Sequence, residues 1–291
     1  MQLVSIGEVL WDVFPTGARF GGAPANLASH AAMLGGNVSM LSRVGNDQRG
    51  RDAIAFLRER GVDTQWIQTD MECPTGTVQV ELDSGGHPTY DIIQNVAWDH
   101  LAWDQNLVPL LANADAICFG SLGQRSPIAA NTIEQCLAAA PATALKLFDV
   151  NLRPPYYDDA VLLRSLDQAN ALKLNEDELP ILAKLVGVSG ADVDCLRQLR
   201  DRYSLKLVAW TRGSNGSVLL TEEKISELCG TPIEIVDTVG AGDSFTATLI
   251  TGYLSGCSLD TTHRWAAAVA AYVCGQNGAV PDLPEELRQP R

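Results

Sequence analysis

The chain reads as an α/β fold, with a mostly parallel central sheet and helices on both faces, three layers in all. Two observations predict it. Short apolar runs alternate with segments of helical periodicity along most of the chain. Polar and glycine-rich residues recur just after the apolar runs, where the carboxyl ends of parallel strands gather ligand-binding groups.

The elements follow in order. Residues 2–6 form a short apolar strand ending at Gly7. Residues 23–34 are helical, with Leu27, Ala31 and Leu34 on one face, and Gly35 and Gly36 stop the helix. Residues 38–44 read as a strand, and 48–60 as a helix that ends at Gly61. Strand 116–119 leads to helix 128–139, strand 145–150 to helix 160–169, and strand 171–174 to helix 178–186. Strand 205–210 completes the series, and helices at 244–254 and 266–274 follow, with Asn277 and Gly278 ending the second. One segment breaks the alternation. Residues 77–82 alternate polar and apolar, 83–86 form a turn, and 89–93 return. This predicts an antiparallel hairpin outside the main sheet.

The chain has 291 residues, enough for one large domain with a small appendage, and no repeat, low-complexity tract or linker divides it. Apolar residues are 46% and charged ones 19%, which suits a globular protein. The net charge of −14 argues against nucleic acid as a partner, since that affinity depends on cationic side chains. It does not argue against ATP, whose site is set by local amides, a few cations and Mg²⁺. Seven cysteines are odd in number, form no CxxC and mostly sit among apolar residues. They read as reduced core thiols of a cytoplasmic protein. The start shows neither the basic n-region nor the long apolar core expected of a signal peptide, and no apolar run is long enough to span a membrane.

The segment Asp237-Thr238-Val239-Gly240-Ala241-Gly242-Asp243-Ser244-Phe245 carries the most chemistry. A helix start leaves amides unpaired and bears partial positive charge. Gly240, Ala241 and Gly242 let those amides converge on a phosphate. Asp243 cannot bind an anion, but it can take a proton from a hydroxyl that attacks one. Read alone, it also suits an acidic helix cap. Asp12 follows the first strand, and its carboxylate can accept from two adjacent hydroxyls. Asn26, after Gly21 and Gly22, can both donate and accept, as a sugar hydroxyl requires, although a glycine turn before a helix reads the same way.

DTVGAGDSF resembles the C-terminal signature of the ribokinase-like (PfkB) carbohydrate kinases, and GGAPANLA, residues 21–28, resembles the N-terminal one. The resemblance runs from GEVLWD at 7–12 to the GQNGAVPDLP tail at 275–284. Among subfamilies, GEVLWD and GGAPANLA look most like the fructokinases. The GGKGAN version of ribokinases is absent, with Ala23-Pro24 in its place, which favours a ketohexose over ribose.

The resemblance implies a ribokinase-like fold with a small β lid from about 11–20 and 75–95, closing over the sugar. It implies an ATP-dependent transferase making fructose 6-phosphate, with Asp243 as base. Asp12, Gly21, Gly22, Asn26, Asn151 and Arg153 then bind the sugar, with Arg153 also near the moving phosphoryl group. Asn175 and Glu178 match an NxxE motif that organises hydrated Mg²⁺. Thr211, Arg212, Gly213 and Gly216 match a T-x-G-x-x-G turn on the triphosphate, and Asn277 falls by the adenine slot. Asp237 is placed at a K⁺ site. Read alone, Glu178 is an acidic first helical turn, residues 211–216 are a β-turn, and Arg153 is a surface ion pair. A homodimer through the lid is a further expectation.

Other functions remain open at this point. A kinase for 2-keto-3-deoxygluconate, tagatose or a nucleoside is the alternative within the enzyme class, whereas intact Asp243 and the intact Gly240–Gly242 loop argue against a non-catalytic member that binds a sugar or protein partner. A nicotinamide oxidoreductase is set aside, because no GxGxxG follows the first strand. P-loop and protein-kinase motifs are also absent.

Overall fold

A computed structural model describes residues 1–82 and 88–290. Its first part contains β1 (Gln2–Ile6), β2 (Leu10–Phe14), β3 (Gly17–Gly21), α1 (Ala23–Met33), β4 (Asn37–Gly45), α2 (Gln48–Glu59), β5 (Ile67–Asp70), β6 (Gly76–Leu82) and β7 (Pro88–Ile92). Next come α3 (Val108–Ala112), β8 (Ala116–Gly120), α4 (Pro127–Ala139), β9 (Leu145–Asp149), α5 (Asp159–Gln168), β10 (Ala171–Asn175), α6 (Glu178–Val186) and α7 (Asp192–Tyr203). The chain closes with β11 (Leu207–Thr211), β12 (Ser217–Leu220), β13 (Ile225–Leu228), α8 (Ala241–Leu254) and α9 (Leu259–Cys274).

Nine strands form the central sheet in the order β13-β12-β11-β10-β9-β8-β1-β4-β5. Only β12 and β13 run antiparallel to their neighbours. Alternation along β1 shows why both faces are covered. Leu3 joins a core with Leu27, Leu57 and Leu249 from α1, α2 and α8. Val4 and Ile6 join the opposite core, with Ile133, Leu162, Leu182 and Leu196 from α4 to α7. Successive side chains of a strand point to opposite faces, so a strand between two helix layers is apolar throughout. Sheet order also reverses beside β1, with β4 on one side and the later β8 on the other. The crevice at the carboxyl ends there is the expected ligand position.

A second, four-stranded sheet has the order β3-β2-β6-β7. The β2–β3 and β6–β7 pairs are antiparallel hairpins, and β2–β6 is parallel. Its own apolar cluster includes Leu10, Val78, Val80, Ile92 and Trp98. Two anchors tie it to the body. The indole of Trp11 donates to the Arg49 carbonyl at 3.0 Å, and Phe20 stacks on Phe56 of α2 at 4.0 Å. Arg125 donates to both oxygens of Asp99, at 2.7 and 2.8 Å, lies over Trp98, and reaches the Ile93 carbonyl at 2.6 Å.

Several expectations need adjusting. The turn expected at 83–86 lies outside the described residues. α9 starts at Leu259 rather than at 266, capped by Ser258, and ends at Cys274, where the Gly275 and Gln276 amides close its last turn onto Tyr272 and Val273 ahead of Asn277 and Gly278. β5, α3, α7 and the β12–β13 hairpin were not foreseen. α7 hides from a periodicity search because its buried residues are only Cys195, Leu196 and Leu199 among many charges. All seven cysteines are free thiols, but only Cys118, Cys136 and Cys195 are buried, and Cys229 is exposed. Among the described residues, no helix is long and apolar enough to cross a membrane.

Candidate active site

Gly240 immediately precedes α8 as its N-cap, with a φ of 80° that suits glycine. A Cβ there would overlap the Ala279 carbonyl oxygen and lie 2.7 Å from the Ala279 Cα. The chain can therefore turn this tightly into the helix only without a side chain. The Ala241 amide leans on the Thr238 carbonyl at 3.4 Å. Among the described residues, the amides of Gly240, Gly242 and Asp243 have no acceptor. This is the anion-binding arrangement that a helix start offers.

Asp243 lies in the first turn of α8, and its Oδ2 accepts from Asn26 Nδ2 at 2.8 Å. Asn26 is buried in the first turn of α1, behind Gly22. Gly22 has φ of 106°, and a Cβ there would come within 2.5 Å of the Glu8 carbonyl. The two sequence signatures thus meet in one hydrogen bond. Asn26 Oδ1 is buried without a partner. Asp243 is pushed up to about 6. Burial is the main cause and Asp149 adds to it, while Asn26, Lys173 and Arg153 oppose it. Asp243 retains some exposed surface, but dense packing around it makes desolvation the larger effect.

Asp12 sits mid-strand on β2, opposite Arg19 of β3. A Cβ on Gly21 would crowd its Oδ2 at 2.6 Å, so Gly21 leaves the carboxylate room. Burial pushes Asp12 up to about 6, with Asp237 adding to the rise and Arg153 and Arg19 opposing it. Arg153 therefore acts on both Asp12 and Asp243, although its side chain is exposed and its nearest bond is to the Leu152 carbonyl. Asn151, with φ of 41°, turns the chain out of β9, and its carbonyl accepts from Ser121.

Asn175 ends β10. Its Oδ1 accepts from the amides of Asp177 and Glu178 at 2.9 and 3.0 Å, capping the turn into α6. Glu178 is 3% exposed, and its oxygens accept from the Leu152 and Asn175 amides at 2.9 and 2.7 Å. It thereby fastens together the segments leaving β9 and β10. Both side chains are committed to backbone amides, so they suit contact with a metal's water shell better than direct ligation. Among the described residues, no three acidic, His or Cys side chains converge on one metal position.

The turn after β11 meets this segment. Thr211 Oγ1 reaches the Leu174 carbonyl at 3.5 Å, and a Cβ on Gly213 would lie 3.3 Å from Glu176 Oε1. Three expected residues stand apart from this group. Arg212 pairs with Glu227 of β13 at 2.9 Å. Gly216 has a packing reason of its own, since a Cβ there would overlap the Leu228 carbonyl. Asn277 is exposed and without a hydrogen bond among the described residues. Asp237 accepts from the Val239 and Gly278 amides at 3.1 and 3.2 Å and pairs with Arg19 at 3.4 Å.

The structure adds residues that motif reading passed over. Glu8 is 3% exposed, with Oε2 unpartnered. Burial pushes it up to about 7, against the opposing pull of the Glu8 and Ala23 amides and Arg153, while Asp243 adds to the rise. Lys173 of β10 is buried against Asp149 at 3.0 Å, and Asp149 also accepts from Thr246 of α8 at 2.9 Å. A Cβ on Gly242 would lie 3.2 Å from Lys173 Nζ, so a fixed ammonium sits beneath the α8 start. Burial alone would lower Lys173, but Asp149, Glu178 and Asp243 raise it, and it stays charged. The available signal was a charge inside an apolar strand run, as in Ala171-Leu172-Lys173-Leu174.

Comparison with known proteins identifies the family. A model described as pfkB family carbohydrate kinase matches residues 6–286. The chain is 31% identical to a fructokinase from Klebsiella pneumoniae, over 96% of this chain and 95% of that protein. It is 30% identical to a fructokinase from Salmonella typhimurium, with the same coverage. An uncharacterized sugar kinase from Pyrococcus horikoshii, solved in complex with ATP, superposes with a TM-score of 0.83 at 29% identity, covering 98% of this chain and 99% of that one.

Proposed function

Because the chain belongs to the pfkB family of carbohydrate kinases, we propose that it moves the γ-phosphoryl group of ATP to a primary hydroxyl of D-fructose, forming fructose 6-phosphate. Membership supports an ATP-dependent sugar kinase. The choice of fructose rests on the fructokinase relatives at 30–31% identity. The observation that carries the reading is the Asn26–Asp243 bond, which joins a hydroxyl-binding amide to a carboxylate at the start of an anion-binding helix.

The residues divide the work as follows. Asp12 and Asn26 accept from sugar hydroxyls, and Gly21 and Gly22 let the sugar approach the backbone. The second sheet acts as a lid that excludes water, which would otherwise take the phosphoryl group. Asp243 accepts the proton of the attacking hydroxyl while the amides of Gly240, Ala241 and Gly242 hold the charge that develops on phosphate. Arg153, exposed beside both acids, adds a cation to the same place. Thr211 and Gly213 hold the triphosphate, and Lys173 supplies fixed positive charge below it. Asn175 and Glu178 face the water shell of the Mg²⁺ that travels with ATP, and that ion offsets phosphate charge. Arg212, Gly216 and Asn277 have only the resemblance behind a nucleotide role.

Sugar-dependent ADP release across a panel of sugars tests this reading. Fructose is expected to give the highest kcat/KM. A higher value with 2-keto-3-deoxygluconate, tagatose or a nucleoside reassigns the substrate. No release with any of them removes the enzymatic reading. The edges of the second sheet, β3 and β7, also suit pairing with a second copy. Light scattering during size-exclusion chromatography distinguishes dimer from monomer.

A further inference from the structure

His30 is fully buried on α1 and has no part in the chemistry above. Its Nε2 lies 2.9 Å from the carbonyl oxygen of Ala279. A carbonyl only accepts, so Nε2 carries the proton and donates. Burial pushes the imidazole down to about 4, with Arg60 acting the same way and the Ala279 carbonyl opposing. The ring is thus neutral and held in one tautomer near pH 7.

The partner of that bond matters. Ala279 is the residue on which Gly240 rests, since any Cβ on Gly240 would overlap its carbonyl oxygen. His30 and Asn26 are four residues apart on α1, so they share one face of the helix. Asn26 donates to Asp243, and His30 donates to the support beneath Gly240. One face of α1 therefore holds both ends of the segment 240–243. The same helix starts at Gly22.

We propose that His30 is a positioning residue for the anion hole: its Nε2–H fixes the Ala279 carbonyl, and through it the backbone of Gly240, in register with Asn26 and Asp243. The proposal rests on the reading of this site as one of phosphoryl transfer. Its physical basis is that glycine has no side chain to hold its own backbone in place. Gly240 keeps its aim only through what it rests on. The nearby Arg60 does not replace the contact, because its guanidinium stacks on Phe56 and reaches the Val280 carbonyl only at 3.5 Å.

Two substitutions test it. His30→Leu keeps bulk and removes the donor, whereas His30→Gln returns an N–H near the Nε2 position. His30→Leu is expected to lower kcat at least about tenfold, because small misplacements of a reacting geometry are costly. Its sugar KM should stay within about twofold of wild type, since only the phosphate side is disturbed. Calorimetry should show weaker MgATP binding, and His30→Gln should recover most of both losses. Wild-type kcat and nucleotide affinity in His30→Leu overturn the proposal. So does a loss that His30→Gln fails to recover, or one that raises sugar and ATP KM equally. If His30→Leu does not fold, His30→Gln is compared with His30→Asn, whose amide is too short to reach Ala279. Higher nucleotide affinity in the Gln variant supports the proposal, and equal values overturn it. If wild type releases no ADP with any sugar, the functional reading fails, while ATP calorimetry still decides the role of His30.

Discussion

Asn26 donates a hydrogen bond of 2.8 Å to Asp243, a residue 217 positions away. The bond stabilises the ionised form of Asp243 and orients one of its oxygens. Under the proposed function, the other oxygen takes the substrate proton. Asn26 itself keeps a buried, unpartnered Oδ1. Under the proposed function, that atom accepts from a sugar hydroxyl at the same point.

Asp243→Asn keeps the size of the side chain but cannot take up a proton. General-base loss costs about 10²–10⁴-fold, and kcat is expected to fall by at least about 10³-fold. Calorimetry on the variant should still show binding of sugar and of ATP, because the amides and Asp12 remain. Retention of more than about a tenth of kcat would show that Asp243 is not the base.

The raised value of Asp243, about 6, sets a pH dependence. As the proposed base, Asp243 must be ionised, so kcat/KM should rise with pH through an acid limb near 6 and then level off. Stability moves the other way. A carboxyl whose folded value lies above its unfolded one binds protons more tightly when folded. That contribution is complete below about pH 4 and lost as pH rises through about 6. Asp243→Asn should therefore melt at a higher temperature than wild type at pH 8, and the gain should vanish below pH 4. Thermal melts from pH 4 to 8 check the sign, and a gain largest in acid would contradict it.

Asp12→Ala should raise sugar KM with little change in ATP affinity. The cost is on the order of 2–4 kcal/mol if the second sheet shields the contact, from hydroxyls left unpaired. Equal weakening of both ligands would mean that Asp12 holds the β2–β3 hairpin rather than the sugar.

Asp149→Ala leaves the Lys173 ammonium buried without its partner. Breaking such a pair costs about 3–5 kcal/mol, which urea denaturation can measure. Replacing both residues by apolar ones, Lys173→Met with Asp149→Leu, should recover much of that stability but not activity, because the cation below Gly242 is gone. A loss under about 1 kcal/mol in Asp149→Ala would mean that water reaches the pair.

Local physics made much of this protein readable from its residues. Strand and helix periods, with glycine stops, are short-range properties, and they placed β1, α1, β8, β9, β10 and α6 within a few residues. The DTVGAGDSF and GGAPANLA segments were legible because an anion site needs small residues at a helix start. The antiparallel β12–β13 pair and the polar helix α7 were not legible, since neighbours rather than their own pattern hold them. The same holds within the site. That Asn26 reaches Asp243, that Glu178 binds two backbone amides, that Lys173 lies beneath Gly242, and that His30 supports Ala279 are long-range contacts. Each depends on which strands lie side by side and which helices cover them. Residue types can say which groups are able to hydrogen bond, but only the packed chain decides which partner each one meets and how much water is left around it.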